Sequence, residues 1–396
     1  METKAFGDLL REGGFDEFVG VPCSYLSPLI NYAINEGRFL MANNEGDAVA
    51  IASGISLASK KYGVVLMQNS GLSNALSPLT SLNHTFKIPI LGFVSLRGER
   101  DEAGNNTDEP QHELLGVITD KLLEVCEVEY AFLDRDLEQA RRQLVRAKSV
   151  LEQGRSFFFI VKKGVLESMP LHSSVEIKPR AKSPSLSPAL SPSLPQDSAL
   201  MPAHFRRYEV LSELSSLCEE MVLLATTGKS GRELYEVADR ENQLYMVGSM
   251  GCVGALGLGI ALKSWRKVVC VDGDGALLMR MGALSTNAYY AKQQNRGNFC
   301  HILLDNGVHD STGGQFSLSP FVDFMEVARA CGYERVHSVG SMEELGEVMR
   351  AFGSGESGGA WFVYIRIQVG SKENLGRPKI KPYEVAKRLR AYLNKE

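Results

Sequence analysis

The chain has 396 residues, 44% of them hydrophobic and 23% charged, which is typical of a globular protein with two domains of ordinary size. Its net charge of −4 excludes a nucleic-acid binder that relies on a broadly basic surface, although a local anion pocket is compatible with it. No uncharged apolar run reaches the roughly 20 residues that a membrane-spanning helix needs.

The seven cysteines are scattered along the chain and form no C-x-x-C pair. That pattern is typical of reduced thiols in a cytoplasmic protein and disfavours a disulfide framework or a zinc site. The N-terminal segment METKAFGDLLREGGFDEF is charged and lacks the apolar core of a signal peptide. We therefore expect a cytoplasmic protein.

Residues 1–167 alternate strand-like and helix-like segments and form the first predicted domain. Short apolar runs predict buried parallel strands at RFLMA, YGVVLMQ, IPILGFVS and SFFFIVKK. Apolar residues at helical spacing predict helices in GDAVAIASGISLASKK and LSNALSPLTSLNHTF. Such alternation is typical of a parallel sheet with helices on both faces.

Residues 168–205 are rich in Ser and Pro, and seven of the fifteen prolines lie between Pro170 and Pro202. Each proline removes a backbone donor and biases the preceding residue toward extended conformations. The segment has little apolar surface to bury. We therefore predict an extended linker here.

Residues 206–396 repeat the strand–helix alternation and form the second predicted domain. The strand candidates are EMVLLATT, QLYMVGS, KVVCVDG, NFCHILLDN and AWFVYIRI. The helix candidates are CVGALGLGIALKSW, GALLMRMGALSTNAYYAK, PFVDFMEVARACG and PYEVAKRLRAYL. The predicted fold class is α/β, with two doubly wound parallel sheets.

Two polar side chains, Asp274 and Asn306, each follow an apolar run that is a strand candidate. Ligands of open parallel sheets bind at the carboxyl ends of the strands. Gly273 and Gly275 allow a tight turn there and a close approach of a ligand, and a helix starting near Gly275 favours phosphate. Carboxylate and amide oxygens suit Mg²⁺. The sequence therefore predicts Mg²⁺ bridged to a diphosphate.

Two other interpretations of this stretch stay open at this point. Asp-Gly and Asn-Gly pairs taken singly are mostly ordinary turns. The string DGDG also resembles the start of a calcium loop, but its fifth and twelfth positions would be Ala276 and Ala283, which cannot ligate calcium. The two residues together, each at a strand end, favour the metal site.

The string GDGALLMRMGALSTNAYYAKQQNRGNFCHILLDN resembles the cofactor motif of the thiamin-diphosphate-dependent 2-oxo acid decarboxylases. The resemblance implies that Asp274, Asn306 and the backbone carbonyl of Val308 hold Mg²⁺, and that Gly273, Gly275 and Ala276 contact the cofactor. The gap of 32 positions between Asp274 and Asn306 is a few longer than the usual spacing. We place the extra residues in the polar turn KQQNRGN.

The string ANNEGDAVAIASGISLASKK resembles the family's element that carries an activating acid, which assigns that role to Glu45. A carboxyl group there shares a proton with the aminopyrimidine ring of the cofactor. The alternative is that Glu45 is only an acidic residue that is favourable near a helix start.

Two further strings agree with the resemblance. VGSMGCVGALGLGIALKSW resembles the pyrimidine-binding turn, where the carbonyl of Gly248 accepts the amino group and Met250 supports the bent cofactor. Filling the core is the alternative role for Met250. LLATTGKSGREL resembles the diphosphate-side loop, where Thr226 and Thr227 bond phosphate oxygens; it is not a Walker loop.

The resemblance covers nearly the whole chain except the linker. It leaves no room for the middle domain that larger members of the family have. It also implies a homodimer or higher homo-oligomer with the cofactor at the subunit interface. Within the family, strings such as GVPCSYLSPLIN, LMQNSGLSNALSPLTSLN, DEPQHELLG and TTGKSGREL are similar to the phosphonopyruvate decarboxylases of phosphonate biosynthesis. They imply that the substrate is phosphonopyruvate, a small 2-oxo acid, with sulfopyruvate or another acidic 2-oxo acid as the alternative. The loop RGERDEAGNNTDEPQH is longer than in typical members, which affects the expected lid geometry.

Decarboxylation needs a proton carrier and, for this substrate, a group that binds an anion. His112 and His309 are the expected proton carriers because histidine titrates near neutral pH. The acidic alternatives are Asp108, Glu109 and Asp310. The residues expected to bind the phosphonate are Ser24, Asn69, Arg97, Lys229 and Arg232.

Overall fold

A computed structural model describes residues 1–172, 203–355 and 358–395, and its main strands form two parallel six-stranded sheets. The first sheet has the order β2-β1-β3-β4-β6-β5. Its strands are β1 Glu17–Gly20, β2 Phe39–Met41, β3 Gly63–Gln68, β4 Leu91–Ser95, β5 Glu129–Phe132 and β6 Phe157–Val161. The α/β prediction with a parallel sheet is confirmed for this half of the chain.

The helices of the first half alternate with these strands. They are α1 Thr3–Glu12, α2 Ser27–Asn35, α3 Glu45–Ala58, α4 Asn69–Pro78, α5 Leu115–Val125 and α6 Leu137–Glu152. A π-helical turn, Leu79–His84, continues α4. Pro78 directly precedes it and has no N–H to donate, which is a usual cause of irregular hydrogen bonding in a helix.

The second sheet has the order β13-β14-β10-β9-β7-β8, and a two-stranded antiparallel ribbon, β11 with β12, lies apart from it. These strands are β7 Val222–Ala225, β8 Gln243–Tyr245, β9 Val268–Gly273, β10 Phe299–Asp305, β11 Val308–His309, β12 Gln315–Phe316, β13 Arg335–Val339 and β14 Ala360–Arg366. The helices are α7 Arg207–Leu217, α8 Lys229–Val237, α9 Val253–Lys263, α10 Asp274–Met279, α11 Ala283–Gln294, α12 Phe324–Cys331, α13 Met342–Ser354 and α14 Pro382–Leu393. The second half therefore has the predicted doubly wound plan as well.

Two predicted helices are shorter than expected. The segment GALLMRMGALSTNAYYAK is not one helix, because Arg280 leaves the helical conformation and separates α10 from α11. The helix predicted in PFVDFMEVARACG begins only at Phe324, where the Asp323 side chain accepts a hydrogen bond from the backbone N–H of Glu326. Most of the predicted linker, residues 168–205, lies outside the described residues, so the domain boundaries stay a prediction.

Helices α3 and α9 hold the two halves together. All 14 residues of α3 are buried, as is all of α9 except Lys263. Gly54 on α3 and Gly259 on α9 meet where the helices cross, since a Cβ on Gly259 would collide with the backbone carbonyl of Ile51. A second link is the ion pair between Lys263 Nζ and Glu17 Oε2 at 2.6 Å. Small residues thus allow backbone-to-backbone contact between the halves.

All seven cysteines are free thiols, and five of them are buried. Among the described residues, no helix is both long enough and apolar enough to cross a bilayer.

We predict that Gly259→Ala destabilises the protein by about 1–3 kcal/mol, because the added methyl group has no space at the α3–α9 crossing. The matched control is Gly353→Ala in α13, where a new Cβ meets only the flexible end of Met221. That control should be neutral or stabilising by up to about 1 kcal/mol, as for Gly→Ala in helices generally. Thermal unfolding of both variants is the measurement; equal melting temperatures would contradict the tight crossing.

Candidate active site

The predicted cofactor residues of the second half lie at the carboxyl ends of four adjacent strands. In the order of the sheet, Gly248 follows β8, Thr226 follows β7, Asp274 follows β9 and Asn306 follows β10. Gly273 at the end of β9 pairs with Leu304 near the end of β10, so the two strands end at the same level. Parallel pairing therefore brings these segments, which are far apart in sequence, to one edge.

A cavity of about 270 Å³ opens at this edge, and we call it the second-sheet cavity. Within the part of the chain that the structure describes, all lining residues come from the C-terminal half. The residues that the sequence predicted and that line it are Thr226, Thr227, Lys229, Met250, Gly273, Asp274, Gly275, Ala276, Asn306, Val308, His309 and Asp310. Gly248, Glu45 and the predicted residues of the first half are not part of this lining.

Asp274, Asn306 and Val308 present the oxygen atoms that the metal prediction requires. Asp274 is buried at the first residue of α10, and its carboxylate accepts a hydrogen bond from Ser317 Oγ. Burial raises the pKa of Asp274, and the Ser317 bond opposes that rise. A carboxylate, an amide oxygen and a backbone carbonyl form a set of hard donors that suits Mg²⁺. Among the described residues, no group of three or more His, Cys, Asp or Glu side chains is arranged to hold a metal ion.

A network that the sequence did not reveal orients Asn306. Its Nδ2 donates to Asp310 Oδ2 at 2.6 Å, and its Oδ1 accepts from the backbone N–H of Val308 at 3.2 Å. Asp310 is in turn held by Arg207 at 2.5 Å. Arg207 also lies 3.6 Å from the buried Glu233, whose pKa is raised by burial. Asp310, a candidate proton carrier from the sequence, is thus the hydrogen-bond partner of Asn306.

The Thr226–Lys229 segment fits an anion. Thr226 Oγ1 is buried and has no hydrogen-bond partner within the described part of the chain, so a phosphate oxygen would satisfy it. Gly228 has a φ of +88°, a conformation that favours glycine, and α8 begins at the next residue. The lining and the unpaired hydroxyl together fit a diphosphate group.

The Gly248–Gly251 turn is held in an unusual conformation. Ser249 has a φ of +52°, which is uncommon for a residue with a side chain, and Gly251 has a φ of +84°. Ser249 Oγ lies 2.7 Å from Ser81 Oγ on the π-helical turn of the first half. The pyrimidine-side turn predicted from the sequence is therefore fixed directly to the other half of the chain.

The predicted residues of the first half follow the same edge rule. Glu45 follows β2, Ser24 follows β1, Asn69 follows β3 and Arg97 follows β4, and these four strands are adjacent in the first sheet. Glu45 is buried, begins α3 and accepts a hydrogen bond from Asn74 Nδ2 at 2.9 Å. Both sheets thus collect their predicted site residues at carboxyl ends.

Arg97 is already paired inside the first half. Its guanidinium makes two hydrogen bonds to Asp108, each of 2.5 Å, and one to Ser24 Oγ of 3.3 Å. The pKa of Asp108 lies far below its usual range, mainly because its carboxylate accepts hydrogen bonds from Arg97. Asn69 donates from its side chain to the Arg97 carbonyl at 2.9 Å, which fixes the start of the loop. The loop RGERDEAGNNTDEPQH is therefore tied down at its base.

The two predicted proton carriers lie in different halves. The His309 ring lies against Gly275, since a Cβ on that glycine would overlap it. His112 is buried in the first half, and its Nδ1 has no partner within residues 1–172, 203–355 or 358–395. The structure brings His309 into the second-sheet cavity but does not bring His112 there.

Arg232 has a structural contact that the sequence did not indicate. Its guanidinium donates to the carbonyls of Leu375 at 2.6 Å and Gly376 at 2.8 Å. It therefore holds the segment before α14 onto α8. Lys229, three residues earlier, lines the second-sheet cavity instead.

Family comparisons agree with this geometry. Residues 3–118 match the family described as thiamine pyrophosphate enzyme, N-terminal TPP binding domain, and residues 227–365 match thiamine pyrophosphate enzyme, C-terminal TPP binding domain. Phosphonopyruvate decarboxylase from Streptomyces viridochromogenes is 40% identical over 383 residues, which cover 96% of this chain and 92% of that protein. The chain belongs to the thiamine pyrophosphate enzyme family.

Other members of this family are similar over the full length as well. Phosphonopyruvate decarboxylase from Streptomyces hygroscopicus is 40% identical over 382 residues, covering 96% of this chain and 90% of that protein. Sulfopyruvate decarboxylase from Methanosarcina acetivorans is 29% identical over 394 residues, covering 98% and 96%. The decarboxylase branch of the thiamine pyrophosphate enzymes therefore contains this chain.

Solved structures of other decarboxylases share the fold. Benzoylformate decarboxylase from Polynucleobacter necessarius superposes with a TM-score of 0.69 at 14% identity, covering 93% of this chain and 99% of that one. The 4-hydroxybenzoylformate decarboxylase of Rhodococcus jostii RHA1 gives 0.67 at 12% identity, with the same coverage. At these identities the likeness concerns the fold alone.

We predict that Asp310→Asn weakens the binding of thiamin diphosphate in the presence of Mg²⁺ by about tenfold, because Asn306 loses its charged partner. The measurement is a fluorescence titration of the apoprotein with the cofactor at fixed Mg²⁺. The control is Asp136→Asn, which removes a carboxylate that caps α6 in the first half. A dissociation constant like that of the wild type would refute the orienting role of Asp310.

Proposed function

We propose that this protein catalyses the thiamin-diphosphate- and Mg²⁺-dependent, non-oxidative decarboxylation of 3-phosphonopyruvate to phosphonoacetaldehyde and carbon dioxide. The observation that carries the proposal is the match over nearly the whole chain to phosphonopyruvate decarboxylases. These proteins are more similar to this chain than the full-length sulfopyruvate decarboxylase is. The second-sheet cavity supports it, because its oxygen donors and its unpaired hydroxyl fit a metal-bound diphosphate.

In this proposal Asp274, Asn306 and the carbonyl of Val308 hold Mg²⁺, and Thr226 and Thr227 bind the diphosphate. Gly273, Gly275 and Ala276 would contact the cofactor at the same edge, and Met250 and Gly248 would support the rest of it. When bound, thiamin diphosphate supplies an electron-accepting ring that stabilises the electron pair left by departing carbon dioxide. The protein's own task is then to position groups and move protons.

Glu45 is the proposed activating acid. Its carboxylate is buried, bonds to Asn74, and lies against Gly71, where no side chain could be accommodated. In this role the Glu45 carboxyl group would share a proton with a ring nitrogen of the cofactor. The first residue of a wholly buried helix is a rigid place for such an acid.

His309 and His112 are the proposed proton carriers. His309 is the better placed for the second-sheet cavity, since its ring covers Gly275 directly after Asp274. His112 has one ring nitrogen with no partner in the described residues, and a buried nitrogen of this kind can accept or deliver a proton. Either histidine would protonate the carbon that carbon dioxide leaves.

The phosphonate is the group that sets the substrate class. A dianion requires cations and hydroxyl or amide donors, and Arg97 with Ser24 and Asn69 offers these in the first half. On substrate binding, Arg97 would give up at least part of its contact with Asp108 and bind the phosphonate instead. Lys229 is the proposed cation of the second-sheet cavity. Arg232 could contribute only if its guanidinium gave up its hydrogen bonds to the carbonyls of Leu375 and Gly376.

The cavity lining also supports a homo-oligomer. Since only the C-terminal half lines the second-sheet cavity, we propose that a second copy of the chain completes each site with residues of its own first half. We further propose a cytoplasmic enzyme of phosphonate biosynthesis, which the free thiols support.

The decisive assay measures aldehyde release from phosphonopyruvate, sulfopyruvate and pyruvate, with and without thiamin diphosphate and Mg²⁺. We expect the highest kcat/KM for phosphonopyruvate and no turnover without the cofactor. A preference for sulfopyruvate would change the proposed substrate but leave the proposed decarboxylation unchanged. Turnover that is unaffected by removing the cofactor would overturn the proposal as a whole.

We predict that Glu45→Gln lowers kcat by at least about 100-fold while thiamin diphosphate still binds, because the amide cannot share the proton. Single-turnover decarboxylation and a parallel cofactor titration are the measurements. Glu36→Gln, which changes an exposed carboxylate of the same half, is the control and should keep full activity. A near-normal rate in Glu45→Gln would remove Glu45 from the mechanism.

We predict that Asp274→Asn weakens Mg²⁺-dependent cofactor binding by more than about 100-fold, because the amide cannot supply the negative charge that the ion requires. The measurement is a thiamin diphosphate titration with Mg²⁺ and again with EDTA. For the wild type the two curves should differ strongly, whereas for the variant they should coincide. If the variant keeps the Mg²⁺ effect, Asp274 is not a ligand.

A further inference from the structure

Exposed apolar side chains surround the second-sheet cavity, and none of them has a proposed catalytic or binding role. Six large ones of the second half lie on segments that follow the carboxyl ends of strands: Val247 after β8, Met279 after β9, Phe316, Leu318 and Phe321 after β10, and Val369 after β14. In the described part of this half the other two, Trp265 and Tyr289, lie before β9 and on α11. Exposed apolar surface is thus concentrated at the edge that carries the cavity.

The segment 316–321, of sequence FSLSPF, has polar side chains inside and apolar side chains outside. Its serines are at most 3% exposed, whereas its two phenylalanines and its leucine are between 60% and 81% exposed. Met279 extends this apolar surface, because α10 packs against the turn Ser319–Phe321. A contiguous group of exposed apolar side chains is typical of an interaction surface.

Hydrogen bonds of the two serines fix the backbone of this segment. Ser317 Oγ donates to Asp274 Oδ2, and the backbone N–H of Ser317 donates to the Gly307 carbonyl at 2.8 Å. Ser319 Oγ donates to Asp305 Oδ1 at 2.7 Å. Because both serines are held inside, the apolar side chains between and beside them stay on the outside, next to the proposed metal ligand Asp274.

The first half exposes apolar side chains at its own carboxyl edge. Leu114 and Val117 are exposed, and they follow His112 in the segment after β4. The second-sheet cavity has no lining residue from this half in the described part of the chain, although the proposed reaction requires Glu45. If the first half of another chain covered the cavity, its carboxyl edge would meet segment 316–321.

The charges of the two edges are complementary as well. The loop after β4, residues 97–113, contains six acidic and two basic residues. The segment after β14, residues 370–381, contains four basic residues and one acidic residue. Arg232 holds that segment on α8, close to Lys229 of the cavity. Opposite charges favour the approach of one edge to the other, whereas two edges of the same kind would repel each other.

We propose that segment 316–321 and Met279 form the docking surface for a second copy of this chain, whose first half binds there through Leu114 and Val117. Docking of this kind brings the carboxyl edge of the copy, and with it Glu45, over the second-sheet cavity. The inference deepens the proposed function and rests on it for the need to complete the cavity. The surface itself is a property of the fold and can be tested without catalysis.

The test measures the self-association of the complete chain by sedimentation velocity, with and without thiamin diphosphate and Mg²⁺. Leu318→Glu and Phe321→Glu change the docking surface, and Leu114→Glu changes the face that binds to it. The control is Val145→Glu, which places the same carboxylate at an exposed position in the middle of α6. Because all four positions are exposed, each variant should keep the fold, which circular dichroism checks.

The wild type and Val145→Glu should form dimers or larger assemblies. Each of the other three variants should raise the dissociation constant of self-association by at least about tenfold, because a carboxylate would have to be buried against an apolar surface. Their circular dichroism spectra should match that of the wild type, so the loss belongs to the contact between copies.

Unchanged association in Leu318→Glu and Phe321→Glu would overturn the proposal, since the segment would then cover the cavity within one chain or bind another molecule. A wild type that is monomeric under both conditions would overturn it too. Unchanged association in Leu114→Glu alone would refute the assignment of the partner's face. The cofactor-free measurements do not involve substrate, so a failed decarboxylation assay would refute the proposed function and leave the docking surface standing.

Discussion

The crossing of α3 and α9 is the contact on which the arrangement of the candidate site depends. Gly54 and Gly259 let the two backbones touch, and almost every side chain of both helices is buried. Helix α3 begins at Glu45, and α9 follows the turn that contains Gly248 and Gly251. Within one chain, the position of the edge that carries Glu45 relative to the turn of Gly248 and Gly251 is therefore determined by the packing of two rigid helices, and not by loops.

The two sheets contribute different chemistry from the same kind of edge. Ends of parallel strands carry loops that can change without altering the sheet, so polar groups accumulate there in both halves. In the second half they are oxygen donors and a hydroxyl that needs a partner, which suits a metal and a diphosphate. In the first half they are an acid, an arginine and amide or hydroxyl groups, which suits proton transfer and the binding of an anionic substrate.

Sequence alone predicted most of the strands, including the edge strands β2 and β8, but it missed the edge strands β5 and β13. Buried strands such as β9 and β10 are continuous apolar runs, whereas β5 and β13 are edge strands with exposed or half-exposed residues and leave no such run. The short β1 was missed as well. The break between α10 and α11 was not predictable, because apolar spacing continues through it. Contacts with Asn44 and Asp47, more than two hundred residues away, stabilise the non-helical Arg280.

Sequence predicted the site residues that directly follow a strand, but it did not predict those that come from a loop or helix distant in sequence. Asp274, Asn306 and Thr226 follow strand candidates, so the rule about strand ends found them. Ser317 and Arg207 reach the site from the loop around β12 and from the start of α7. No spacing in the sequence connects either residue to its partner, since such contacts exist only once the second sheet has formed.

Three arginine–aspartate pairs with largely buried side chains surround the proposed cofactor edge. They are Arg207–Asp310, Arg280–Asp47 and Arg366–Asp305. Pairs of this kind contribute little net stability, because desolvation of both charges offsets their attraction. Their common feature is instead that each aspartate lies within two residues of a residue with a proposed role in the site, or is hydrogen-bonded to one. Apolar residues in place of such a pair could pack equally well. They would, however, leave the neighbouring polar side chain, such as the helix cap Asn44 or the amide of Asn306, free to rotate. The charged pairs therefore contribute mainly geometry, which is what a site assembled from distant segments requires.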